Sequence, residues 1–269
     1  MRNEFRFWPF ATNFLLGPEV SFRGEAEVAG RQSSLPRSKM THSRNGTGVR
    51  FRFGSPQHMN TANIRNMTIL LMRHGETDGN ATRVLQRADV PLNERGMRQA
   101  ERLARRLFAH GFVHILCSDL LRARMTTAPL AARPGITIEE SPLLQERNFG
   151  DLRGMPYAKL TEDPFGPDFV PPNGEDWPRF HARVAQAFAL IVSRRRAVNG
   201  TLVVLTHGLV CRAVVERHAL VPEGFSVPHH FDNTSVTALH EDAPHAVTVI
   251  NCTRHLVTSL EMGLSGALA

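Results

Sequence analysis

From residue 67 to residue 251 the chain alternates short apolar runs with longer stretches in which apolar positions recur every three or four residues. Residues 68–73 form an apolar run that ends at Gly75, the pattern of a strand buried on both faces of a parallel sheet. Residues 93–107 read as a helix, with Asn93 suited to the N-cap and Met97, Ala100, Leu103, Ala104 and Leu107 on one face. Further strands are expected at 112–118, 136–139 and 201–206, and closing strands at 235–240 and 246–251. Helices are expected at 119–132, 175–196 and 209–220. The second of these is apolar at Phe180, Val184, Ala187, Phe188 and Ile191 and ends in Arg194-Arg195-Arg196, where cations suit the negative end of the helix dipole. Strands alternating with helices predict an α/β fold: a three-layer α/β/α sandwich with a mostly parallel central sheet.

Residues 1–66 show neither period and are studded with Gly, Pro, Ser, Asn and Arg, so they read as a disordered basic extension to a folded domain spanning 67–269. Pro9, Thr12 and Asn13 interrupt any signal-peptide apolar core, and Glu4, Glu19, Glu25 and Glu27 disfavour an organellar transit peptide. The favoured reading is that translation starts at Met67 or Met59, because Met67 leads straight into the first strand; the alternative is an authentic tail. The net charge of +7 follows the same division. Ten Lys or Arg face four Glu in residues 1–66, whereas 22 face 21 in the remainder, so the body is close to neutral and no nucleic-acid partner is expected. No apolar run approaches the roughly 20 residues of a membrane span, so no membrane partner is expected either. Cys117, Cys211 and Cys252 are widely spaced and lack a C-x-x-C pair, which argues against a disulfide framework and a zinc site and fits a cytoplasmic location.

In open α/β sheets ligands collect at the carboxyl ends of the strands. Arg73 and His74 stand at the end of the first expected strand, Ser118 to Arg122 after the second, and Thr206-His207-Gly208 after the fourth. Two histidines and two arginines at one rim suit a phosphoryl group, whose oxygens match guanidinium forks. A neutral imidazole is nucleophilic near pH 7 without a base, its ordinary pKa being about 6.5. A leaving alkoxide needs a proton, for which Glu146 is the candidate donor. The other histidines, His229 and His230 included, lack metal-ligand spacing, so no metal is expected.

These motifs carry a resemblance. The run Leu71-Met72-Arg73-His74-Gly75-Glu76-Thr77 with Asn80, the run Pro91 to Gly96 with Gln99-Ala100, the run Ser118 to Ala123 with Thr126 or Thr127, Glu146 to Gly150 with Gly154, and Thr206-His207-Gly208 follow in the order of the histidine phosphatase superfamily, also called phosphoglycerate mutase-like. Over residues 68–256 the chain resembles that family. The resemblance implies that His74 is phosphorylated, that Arg73, Arg122 and His207 contact the phosphoryl group, with Asn80 and Thr77 beside them, and that Glu146 is the proton donor. It implies a metal-independent histidine acid-type phosphatase needing no cofactor, acting on a small phosphorylated substrate through a phosphohistidine. Mutases of the family carry Asn after the second His-Gly and a long insertion after the Glu motif. Here Leu209 takes the first position and only about residues 155–170 stand before the Pro171-Pro172-Asn173-Gly174 turn, so hydrolysis is favoured over a phosphoglycerate mutase reaction. A non-catalytic phosphoester-binding protein is the third reading.

Overall fold

The computed structural model describes residues 69–108 and 111–257; the expected extension at 1–66 lies outside them. Six strands, β1 (Ile69–Arg73), β2 (Phe112–Cys117), β3 (Thr137–Glu140), β4 (Thr201–Thr206), β5 (Val236–Leu239) and β6 (Val247–Cys252), form one sheet. Their order is β3-β2-β4-β1-β5-β6. The first four positions are mutually parallel, and β5 runs antiparallel to both of its neighbours. The helices are α1 (Asp78–Ala81), α2 (Glu94–Phe108), α3 (Leu121–Ala131), α4 (Trp177–Ala197) and α5 (Gly208–His218).

Alternate residues of each central strand face opposite layers, which is why the strands are apolar throughout. Ile69, Leu71, Leu202 and Val204 pack with Phe180, Val184, Ile191, Val210 and Val214 of α4 and α5. Leu70, Met72, Val203 and Leu205 pack with Leu103, Leu107, Ala123 and Leu130 of α2 and α3 on the other face. The three layers are those expected from the sequence. Met97 departs from its expected place: it is 44% exposed, so the buried face of α2 starts from Gly96 and Gln99 instead. Asn93 caps α2 as expected, its side-chain oxygen accepting from the Gly96 amide at 2.8 Å. α3 begins after Leu120 without a side-chain cap, and the Asp119 carboxylate just before it accepts from Gln145 Nε2 at 2.8 Å.

β1 and β4 are neighbours in the sheet, yet β1 leads to the α2–α3 layer and β4 to the α4–α5 layer. Their carboxyl ends therefore diverge to opposite faces and leave a crevice, the topological switch point of the sheet. Arg73 and Thr206 are register partners across it. The next residue on each strand is a histidine.

Candidate active site

His74 leaves β1 with its amide donating to the Thr206 carbonyl at 3.0 Å, so it starts from a fixed backbone. The turn that follows is pinned by Gly75 N to Thr126 Oγ1 at 2.9 Å and Glu76 N to Gln99 Oε1 at 2.8 Å. These bonds tie the turn to α3 and α2. A Cβ on Gly75 would lie 2.7 Å from the Gly96 carbonyl oxygen, so the glycine is required by the close approach of α2.

The His74 ring is buried, and its Nδ1 lies 2.7 Å from the Gly75 carbonyl oxygen. A carbonyl only accepts, so the proton sits on Nδ1 and Nε2 keeps the free lone pair. The His207 ring lies 5.0 Å away, centroid to centroid, with its Nε2 2.8 Å from Ser118 Oγ. Arg73 Nη1 donates to the Phe231 carbonyl at 2.6 Å and to His230 Nε2 at 2.8 Å, while Arg122 Nη1 donates to the Arg87 carbonyl at 3.0 Å. Among the described residues no partner satisfies Arg73 Nε, Arg122 Nε or His207 Nδ1, all buried. Three unsatisfied nitrogens around one histidine form a site that calls for an acceptor.

Electrostatics agree with that reading. Burial first, then the charges of Arg122 and Arg73, pushes the His74 pKa well below the ordinary histidine value. Burial and the Arg122 charge do the same to His207. Both rings are thus neutral near pH 7. Burial lowers the Arg122 guanidinium to about 10, with the Glu146 charge opposing, so it stays cationic. Burial likewise pushes the Cys117 thiol up to about 12 and raises that of Cys211, which makes both inert.

Glu146 faces the same crevice: Oε2 accepts from the Leu209 amide at 3.2 Å and Oε1 from the Arg147 amide at 3.0 Å. A cavity of about 110 Å³ is lined by Arg73, His74, Arg122 and Glu146, and beside it lies one of about 1030 Å³ that shares Arg73, Asn80, Leu209 and His230. Tyr157, Phe165 and Trp177 line the larger space.

Asn80 lines both cavities, and its Oδ1 accepts from Thr77 N at 3.2 Å and Asn233 Nδ2 at 3.2 Å. Thr77 is placed differently from the phosphate contact the sequence suggested. Fully buried, it is the N-cap of α1 in a capping box with Asn80: its hydroxyl donates to Gln86 Oε1 at 2.8 Å and accepts from the Asn80 amide at 3.1 Å. Arg124 is an exposed partner of Glu140. Two residues that sequence reasoning passed over stand in the site: Ser118, bonded to His207, and His230, bonded to Arg73. Ser118 sat inside a recognised motif, and the signal for His230 was its place just before the β5 edge of the crevice.

The sequence profile of the histidine phosphatase superfamily (branch 1) matches residues 69–252. A probable phosphatase of Schizosaccharomyces pombe is 33% identical over 193 residues, covering 70% of this chain and 88% of that protein. A probable phosphoglycerate mutase of Yersinia pestis is 41% identical over 98 residues, covering 36% of this chain and 46% of that protein. The solved structure of a mycobacterial glucosyl-3-phosphoglycerate phosphatase superposes with a TM-score of 0.55 at 26% identity, over 64% of this chain and 90% of that one. With the profile spanning the sheet from β1 to β6 and two neutral histidines meeting at its switch point, the chain belongs to the histidine phosphatase superfamily, branch 1.

Proposed function

We propose that the protein is a metal-independent phosphomonoester hydrolase acting on a small phosphorylated metabolite through a phosphohistidine on His74. The observation that carries this reading is the His74 ring, with its proton held at Nδ1 and its Nε2 lone pair free, next to two buried guanidinium Nε groups and a histidine nitrogen that have no partner among the described residues. Nε2 attacks phosphorus in line, forming the N–P bond as the P–O bond to the leaving group breaks. Arg73, Arg122 and His207 hold the non-bridging oxygens by charge-assisted hydrogen bonds. For His207 this requires a proton on Nδ1, which follows if the Ser118 hydroxyl donates to Nε2. Glu146 protonates the leaving oxygen, then takes a proton from the water that cleaves the N–P bond and regenerates His74.

The small cavity suits a phosphoryl group and the larger one its leaving group, with Tyr157, Phe165 and Trp177 as the walls that set specificity. Two arginines supply the positive charge that a metal supplies elsewhere. Among the described residues no group of three or more His, Cys, Asp or Glu is arranged to hold a metal ion. The names of the fission-yeast and mycobacterial relatives favour hydrolysis. Among the described residues no helix is long and apolar enough to cross a membrane.

Hydrolysis of p-nitrophenyl phosphate by the whole chain, with and without chelator, tests the proposal. Activity should survive chelation, and His74→Ala should lower kcat/KM by on the order of 10³-fold or more while abolishing acid-labile label from a phosphoryl donor. Turnover unchanged in His74→Ala would falsify it, and loss on chelation would remove metal independence.

A further inference from the structure

We infer that Arg183, locked on Glu175, is a positioning residue that holds the Glu146 carboxyl against the leaving-group oxygen; the inference rests on the assignment of Glu146 as proton donor. Arg183 lies two turns into α4, and Glu175 just before the Asp176 N-cap of that helix. Arg183 Nε donates to Glu175 Oε1 and Arg183 Nη2 to Glu175 Oε2, each at 2.7 Å, the bidentate fork that fixes both side chains. The remaining guanidinium donors reach the backbone of the segment carrying Glu146. Nη1 donates to the Leu143 carbonyl at 2.9 Å and the Gln145 carbonyl at 2.7 Å, and Nη2 to the Glu146 carbonyl at 3.3 Å.

Those five bonds match the five N–H donors of a guanidinium. Arg183 therefore has none left for a substrate, in contrast to Arg73 and Arg122, each of which keeps a buried Nε without a partner among the described residues. Glu175 completes the grip from the other side. Its Oε2 accepts from the Asn148 amide at 2.9 Å and its own amide donates to the Asn148 carbonyl at 2.7 Å. The backbone is thus held at residues 143, 145, 146 and 148, before and after the carboxylate. Among the described residues the Glu146 side chain, by contrast, accepts hydrogen bonds from the Arg147 and Leu209 amides alone, so its aim is inherited from the backbone beneath it.

A clamp that only stabilises the fold and one that aims an acid differ in a measurable way. A poor leaving group needs the proton, whereas dinitrophenolate leaves without one. The test compares kcat/KM, which reports the steps through phosphorylation, for glycerol 2-phosphate and 2,4-dinitrophenyl phosphate. The full-length parent, Glu146→Gln, Arg183→Met and Glu175→Gln are measured side by side. Glu146→Gln should lose about 10²-fold or more on the alkyl ester and far less on the dinitrophenyl ester. Arg183→Met and Glu175→Gln should show the same selectivity at about tenfold on the alkyl ester. Equal losses on both esters for the two clamp variants, with Glu146→Gln still selective, would overturn the positioning role alone. Equal losses in Glu146→Gln would instead overturn the proton-donor assignment. Should Arg183→Met fail to fold in a thermal melt, Glu175→Gln decides, because it preserves side-chain size and one acceptor oxygen.

Discussion

The chemistry at His74 turns on keeping one ring neutral while surrounding it with charge. Arg122 does two things there: it offers a buried donor to the phosphoryl group, and its charge helps burial hold the His74 pKa down. Arg122→Met should therefore change two observables. Loss of a charge-assisted bond weakens kcat/KM by about 10- to 100-fold, the equivalent of roughly 1.5–3 kcal/mol. Removing the cation also lets the His74 pKa rise, so at a given mildly acidic pH a larger fraction of the ring is protonated and cannot attack. The acid limb of the kcat/KM profile should move to higher pH, and a limb that stays in place would separate the two roles. His74 and His207 were legible in the sequence because each directly follows a strand end, and Arg122 because it lies in the first turn of the helix after β2. Ser118 and His230 were not read as site residues, since their contacts depend on the β2–α3 turn and the β5 approach folding back over the rim. Thr77 was misplaced for the opposite reason: local capping chemistry used a hydroxyl that the motif made look available.

At the level of elements, the crevice depends on how closely α2 approaches the turn after β1. A Cβ on Gly96 would stand 2.0 Å from the Glu76 carbonyl oxygen and 2.8 Å from its amide nitrogen, both backbone atoms that cannot swing aside. Gly96→Ala should push α2 off the turn, break the Glu76 to Gln99 bond and cost about 2–3 kcal/mol in denaturant unfolding, the range of overpacked cores. Gly208→Ala is the contrast, because the three atoms nearest its Cβ would be Arg73 side-chain atoms at 3.5–3.8 Å, an ordinary contact. A midpoint for Gly96→Ala equal to that of Gly208→Ala would refute the close-approach argument. The six strands and the four longer helices were readable from periodicity because burial on one or both faces leaves a regular apolar trace. The one-turn α1 and the segment between β3 and α4 left none. Arg147 shows why: buried, it donates to the carbonyls of Pro164, Phe169 and Glu175 and lies 3.9 Å from the Trp177 ring centre, organising the segment from a single position. A charged residue filling a core position has no periodic signature.

Over the whole described domain, six histidines, His74, His181, His207, His218, His230 and His255, have their pKa values lowered, with burial the first cause in each. The active-site condition is thus part of a wider pattern with a consequence for stability. As pH falls through about 6.5 the unfolded chain takes up protons that the native state refuses, so stability rises with pH across that window. The decline on acidification begins near 6.5 and continues until each native-state histidine titrates, which for His255 is at about 4. Glu139 and Glu175, held below the usual carboxylate range by Arg194 and Arg183 against the cost of burial, extend the same trend at lower pH. Each histidine held neutral contributes a slope of up to about 1.4 kcal/mol per pH unit, less for the partly exposed His181, His218 and His230. The thermal midpoint should be nearly level from pH 8 to 7 and fall steadily to pH 5. A midpoint that is flat or rises on acidification would contradict the pattern. The double variant His74→Gln and His207→Gln removes the two most deeply buried contributors, so its midpoint should depend less steeply on pH than that of the parent, whatever its absolute stability. Scanning both proteins from pH 7.5 to 5 measures how much of the acid sensitivity originates in the two rings on which catalysis depends.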